Sequence, residues 1–207
     1  MTDTRLPIIV RQLGRTDFAQ ICTDMQKFTA ERTEHTPDEI WLTEHSPVYS
    51  LGLNRKNVRL PTNHQIPVVN CDRGGKITYH GPGQVIMYVL LDLKRYGLHI
   101  RQLVSLLENS VIAILKTHGI QAESKRDAPG VYVKEAKIAA LGLRLKKDYC
   151  YHGLSLNVSM DLTPFSSIDP CGYAGLQVTQ TQDLGVAGDV KAIGDRLVAE
   201  FQQQLVS

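Results

Sequence analysis

At 207 residues the chain is long enough for one domain with a full hydrophobic core. Apolar residues make up 43% and charged residues 21%, which excludes wholesale disorder. A net charge of +2, with no long run of lysines or arginines, excludes a chain built to neutralise a nucleic-acid backbone. The longest apolar run, VIMYVLL at 85–91, is far short of the roughly twenty residues a membrane span needs. The first residues, MTDTRLPIIV, have neither the apolar core nor the cleavage site of a secretory signal. A cytoplasmic protein with no nucleic-acid or membrane partner is expected.

In chain order, 7–13 reads as a first strand and 16–34 as a helix, because Phe18, Ile21, Met25 and Phe28 recur at three- and four-residue steps. Strands follow at 39–44 and 66–72, with a short apolar stretch in SPVYSLGLNR and a loop at 61–65 between them. The second of these strands leads into RGGKITYHGPGQ, read as one glycine-rich loop. The run 84–91 is apolar almost throughout, as expected of a strand covered on both faces. A second helix spans 100–118 with Ile100, Leu103, Val104, Leu107, Val111, Ile114 and Leu115 on one face, and Gly119 stands at its C-cap. Strands at 130–133, 137–145 and 150–158 come next, the last two joined by a KKDY turn, and these late strands are candidates for a small second sheet. After irregular sequence a last helix runs to 205 from 186 or 189. There is no repeat and no linker, so 1–207 is expected to be a single α+β domain, a mixed or antiparallel sheet with packed helices.

Among the four cysteines, Cys22, Cys71 and Cys150 fall in predicted helix or strand and read as buried packing. Cys171 differs. It lies in a loop, SIDPCGYAGL, between Pro170 and Gly172, where a nucleophile can be approached closely. A thiol of ordinary pKa is mostly protonated at neutral pH and needs an activator. The candidates are His80, His152 and Lys137. Lys137 opens an apolar strand, where it either snorkels to water or is desolvated and able to exchange a proton with a thiol. His35, His45, His64, His99 and His118 have no special company. The glycine-rich loop fits neither a Walker loop nor a dinucleotide fingerprint, since a strand and not a helix follows it; such a loop lines a pocket and offers N–H groups.

RGGKITYHGPGQ, GVYVKEAKIAALGLRL, HGLSLNV and DPCG, in that order, together resemble the octanoyltransferases of lipoic acid biosynthesis, the octanoyl-[acyl-carrier-protein]:protein N-octanoyltransferases. The resemblance implies the catalytic fold shared with biotin and lipoate protein ligases. It implies a catalytic Cys171/Lys137 pair, in which Lys137 takes the thiol proton and Cys171 carries the acyl group as a thioester. It implies substrate-binding segments at Arg73, Gly74, Gly75, Lys76, Ile77, Thr78, Tyr79 and His80, at Ala140, Leu141 and Gly142, and at Gly153, Leu154 and Ser155. The last segment departs from the family's pattern: Leu154 and Ser155 stand where phenylalanine and alanine are expected, a change in the pocket wall. The implied donor is octanoyl-acyl carrier protein. The implied acceptor is a lysine on the lipoyl domains of 2-oxo acid dehydrogenases and the glycine cleavage H protein. The implied enzyme is a monomer needing no cofactor, metal or ATP.

On this reading the glycine-rich loop is one wall of a tunnel for an eight-carbon chain, with Tyr79 and His80 near the reacting carbonyl. N–H groups near Gly75, Gly142 or Gly172 face the oxyanion. Arg73 and Lys76, by their charge alone, are candidates to meet acidic partner domains. Three rival readings are an ATP-dependent ligase of the same fold, a hydrolase using the same pair, and a non-catalytic module that binds acyl carrier protein.

Overall fold

The computed structural model describes residues 6–62, 65–169 and 175–206. Its main sheet has seven strands: β1 (Ile9–Thr16), β2 (Glu39–His45), β6 (Gln84–Asp92), β10 (Tyr149–Asn157), β9 (Ala136–Lys146), β8 (Gly130–Val133) and β7 (Glu123–Ser124), in that spatial order. β1 runs parallel to β2 and every other pairing in this sheet is antiparallel. A second, three-stranded sheet holds β4 (Val68–Asn70), β3 (Val48–Leu51) and β5 (Ile77–His80), with β3 central. Three helices complete the fold: α1 (Phe18–Glu31), α2 (Ile100–Thr117) and α3 (Val190–Leu205). The expected α+β architecture is present.

β6 explains its own sequence. Val85, Met87, Val89 and Leu91 join the core formed with α2 and α3. Ile86, Tyr88 and Leu90 alternate into the core formed with α1. A strand sandwiched between two helical layers has no face left for polar residues. The α2 stripe buries Leu103, Leu107, Val111, Ile114 and Leu115 as its spacing requires, and Gly119 takes the left-handed conformation at φ +72°. Asp17 and Asp189 cap α1 and α3, accepting from Gln20 and Ala192 N–H at 2.9 and 2.8 Å. The β9–β10 turn lies at Lys147–Asp148, inside the KKDY stretch.

Two expectations are corrected. The late strands do not make a separate sheet: β10 pairs with β6 and continues the main sheet through β9. That pairing joins segments some sixty residues apart, which local periodicity does not record. The small sheet is built instead from 48–51, 68–70 and 77–80, so the second half of RGGKITYH is strand and only its first half is loop. Glycine and proline on either side disguise the four-residue strand.

A buried ion pair closes one end of the molecule. Arg32, just past α1, bonds Asp38 ahead of β2, both side chains being fully buried. Asp38 also accepts from the Asp92 N–H at 2.8 Å and the Tyr96 hydroxyl at 3.1 Å, with Arg95 at 3.3 Å. Removing one partner of such a cluster strands a buried charge. Asp38→Ala is predicted to lower unfolding free energy by about 3–5 kcal/mol in urea titrations, whereas Lys191→Ala, which breaks an exposed α3 pair at 2.7 Å, should change it by under about 0.5 kcal/mol.

Candidate active site

The glycine-rich loop lies across the middle of the main sheet. Gly74 N–H donates to Leu143 O on β9 at 2.9 Å. A Cβ on Gly142 would come 3.0 Å from Gly74 O and from Arg73 Cδ, so glycine here lets the loop rest on the strand. The loop, β5, the middle of β9 and the middle of β10 thereby enclose one cavity. Of the expected substrate-binding residues, all but Gly74 and Tyr79 line it, together with Phe18, Ile86, Tyr88 and His152. Tyr79 turns to the other side of β5, against Tyr49 and Phe165. It therefore stands away from the cavity, as alternation along a strand dictates once Thr78 and His80 face inward.

Arg73 is not a docking residue. It is 8% exposed, and its guanidinium donates to Ser50 O at 2.6 Å, Ser50 Oγ at 2.8 and 3.1 Å, Gly74 O at 2.8 Å and Lys76 O at 2.7 Å. These bonds shape the loop from within. They also set a direction. Ser50 Oγ, accepting from Arg73, donates to His80 Nε2 at 3.0 Å. His80 Nδ1–H then donates to Gln84 Oε1 at 2.8 Å, and Gln84 Nε2 donates to Asn157 Oδ1 at 2.9 Å. Asn157 Nδ2 donates to Thr179 O at 2.9 Å, and Thr179 N–H donates to the Lys137 carbonyl at 3.0 Å. Burial, with His45 and Arg73 nearby, pushes the His80 pKa down to about 3, so the ring is neutral at physiological pH. Both its nitrogens are engaged, which makes it a structural link and not a free base.

Two further polar pairs stand at the floor of the cavity; the sequence singled out only His152 of their members, as a candidate activator, and neither pairing. His45 Nδ1 donates to Thr16 O at 3.1 Å, which leaves Nε2 to accept from the Tyr88 hydroxyl at 2.7 Å. Phe18 packs on both His45 and His80. Burial lowers the His45 pKa and raises that of Tyr88 well above its ordinary value. The second pair joins Asp72 to His152 Nε2 at 2.9 Å and to the Tyr151 hydroxyl. Consecutive residues of a regular strand point to opposite faces. Here His152 has φ +64°, which stacks its ring on Tyr151 and lets both reach one carboxylate. Burial works to raise the Asp72 pKa, but bonds from His152 and Tyr151 offset it and hold the carboxylate well below its usual range. Burial lowers the His152 pKa against the pull of Asp72. A histidine directly before glycine in the middle of an apolar strand was the available signal.

Lys137 is 3% exposed and does not snorkel. Its Nζ donates to Pro129 O at 3.1 Å and lies 5.0 Å from the Tyr132 ring centre. A smaller cavity beside it is lined by Lys137, Asn157, Phe165 and Val178, and it shares Thr78, Ala140 and Ser155 with the first. The segment after Gly175 is tied to this point. Lys137 N–H donates to Gln177 O at 2.9 Å, and Val178 bridges to Lys137. Cys171 and Gly172 lie outside the described residues, as does His64. Cys22, Cys71 and Cys150 are buried thiols. Burial pushes Cys22 and Cys150 up to about 12 and raises Cys71 as well, so none of the three is poised as a thiolate. Among the described residues no cluster of histidine, cysteine and carboxylate side chains could hold a metal ion, and no helix is long and apolar enough to cross a membrane.

Comparison with known proteins agrees with this geometry. The family described as the lipoyl protein ligase A/B catalytic domain matches residues 19–202. An octanoyltransferase from Dechloromonas aromatica is 52% identical over 200 residues, covering 97% of this chain and 98% of that one. In fold, the chain is similar to a bipartite lipoate protein ligase from Thermoplasma acidophilum, with TM-score 0.76, 15% identity, and 97% and 85% of the two chains covered. A biotin protein ligase from Aquifex aeolicus superposes with TM-score 0.59 at 16% identity, over 96% and 70%. The likeness at such low identity is one of fold; the sequence match is what separates a transferase from ligases of the same architecture. The chain belongs to the octanoyltransferase family, within the lipoyl protein ligase A/B catalytic domain.

Proposed function

We propose that the protein moves an octanoyl group from octanoyl-acyl carrier protein to a lysine of lipoyl domains, such as those of 2-oxo acid dehydrogenases and the glycine cleavage H protein. The group passes through a thioester on Cys171. The observation that carries this reading is the seat of Lys137: a buried amine at the junction of two cavities, one of them lined by the three expected substrate-binding segments. The family of the chain supports the same reading.

In this account the Lys137 amine takes the Cys171 proton and the thiolate attacks the thioester carbonyl. The tetrahedral intermediate collapses, and the carrier thiolate leaves with the proton returned by Lys137. The acceptor lysine amine then attacks the acyl-enzyme. Its proton passes to Lys137 as the Cys171 thiolate is released and the amide forms. Splitting one transfer into two is nucleophilic catalysis with ping-pong kinetics. Thioester to amide runs downhill, so no ATP is consumed. The three buried thiols support Cys171 as the nucleophile, since each has its pKa raised. Phe18, Ile86 and Ala140 give the cavity apolar lining; burying about six methylenes at roughly 0.8 kcal/mol each gives on the order of 5 kcal/mol toward chain recognition. Leu154 and Ser155, where the family's pattern has phenylalanine and alanine, both line this cavity.

Incubation with octanoyl-acyl carrier protein without ATP is predicted to add one octanoyl group to the intact mass. Hydroxylamine should remove the adduct, an apo-lipoyl domain should chase it, and it should be absent in Cys171→Ala. Lipoyl-domain octanoylation that needs ATP and survives Cys171→Ala would instead make the protein a ligase. A second expectation concerns the base. Lys137→Met should slow acyl-enzyme formation by about 10²–10⁴-fold in single-turnover assays. Lys137→Arg should not restore the rate, because a guanidinium does not release its proton in this pH range. Restoration by arginine would contradict the assignment.

A further inference from the structure

Glu108 interrupts the apolar face of α2. It lies between Val104 and Val111 on the helical repeat and beside the buried Leu107, and it is itself only 6% exposed. A carboxylate in such a place is unfavourable unless hydrogen-bonded. Its Oε1 accepts the Gly130 N–H at 2.8 Å, where the chain enters β8. The carbonyl of that same peptide unit, Pro129 O, accepts from Lys137 Nζ at 3.1 Å. The peptide is trans, so its N–H and C=O point in opposite directions. One rigid peptide therefore stands between the carboxylate and the amine. Gly130 has φ +143°, and a Cβ there would come 2.9 Å from Lys137 Cε and 3.0 Å from Nζ. Glycine at this position leaves the lysine its seat.

We propose that Glu108 is a positioning residue for Lys137: through the Pro129–Gly130 peptide it fixes where the amine sits, and its negative charge favours the protonated amine. The inference deepens the proposed function and rests on it for the part Lys137 plays in turnover. Burial raises the Glu108 pKa, while the Gly130 N–H and the charge of Lys137 pull it back, as a coupled pair requires. Glu108 from α2 and Tyr132 from β8 both lie against Lys137. The α2 carboxylate thus places a negative charge across the Pro129–Gly130 peptide from the lysine.

The test is an NMR titration of the Lys137 side chain in the full-length protein, assigned by its loss in Lys137→Arg. Glu108→Gln keeps an acceptor for the Gly130 N–H and removes the charge. It is expected to move the Lys137 midpoint down by about one pH unit, while Glu108→Asp stays closer to the unmutated protein. An unchanged midpoint in a folded Glu108→Gln protein overturns the proposal. Should that variant not fold, the Gly130 amide resonance of the unmutated protein decides. It is expected to shift as Lys137 titrates and to lose that step in Lys137→Met; an amide indifferent to Lys137 overturns the proposal. Neither readout needs turnover, so failure here is distinct from failure of the Lys137 activity test.

Discussion

The site depends on one buried cation. Arg73 closes the glycine-rich loop on itself by bonding Gly74 O and Lys76 O, and ties it to the small sheet through Ser50. From Ser50 the donors all point one way, through His80, Gln84 and Asn157 to Thr179, whose N–H meets the Lys137 carbonyl. Every member of this chain uses its donor and acceptor in one consistent order. A buried polar network specifies geometry only when it is fully satisfied. This one connects the loop, both sheets and the segment after Gly175, so the cavity wall and the lysine are set by the same bonds.

The network also sorts the charges. Histidines 45, 80 and 152 stand close to the cavity, and burial lowers the pKa of each. Neutral imidazoles give hydrogen bonds without adding a cation to the cavity's surroundings. Ionic interactions are displaced to the periphery of the site: Asp72 on one side, held ionised by His152 and Tyr151, and Glu108 on the other, beneath Lys137. The cavity lining itself mixes apolar groups such as Phe18 and Ile86 with polar ones such as Arg73, Thr78 and Ser155. The loop's glycines thus serve close packing on β9, as the contacts at Gly142 require.

Much of this was legible in the sequence because it is local. The two-sided run of β6, the stripe of α2, the turn in KKDY and the buried character of three cysteines follow from spacing alone. The expected site segments converge because their motifs are local too. Pairing over long distances was not legible. The small sheet assembles three short segments separated by loops, and β10 meets β6 across the whole of α2. The same limit hid His45, Asp72, Tyr88 and Glu108, whose importance lies in partners far along the chain. For Glu108 a trace existed, a carboxylate within an apolar stripe. Arg73 was read from its charge as a candidate to meet acidic partners, whereas its five hydrogen bonds reach backbone and serine oxygens inside.

The most direct test of this account is the protonation state of His80, read by nitrogen NMR on the imidazole between pH 5 and 9. The network requires a neutral ring with the proton on Nδ1, toward Gln84, and Nε2 accepting from Ser50. With its pKa near 3, His80 binds more protons unfolded than folded below about pH 6.5, so protonation accompanies loss of the native state and not a step within it. A ring that stays in the Nδ1–H form across this range is the predicted result. A ring that titrates near pH 6.5 in the folded protein, or carries its proton on Nε2, would contradict the directed chain from Arg73 to Lys137.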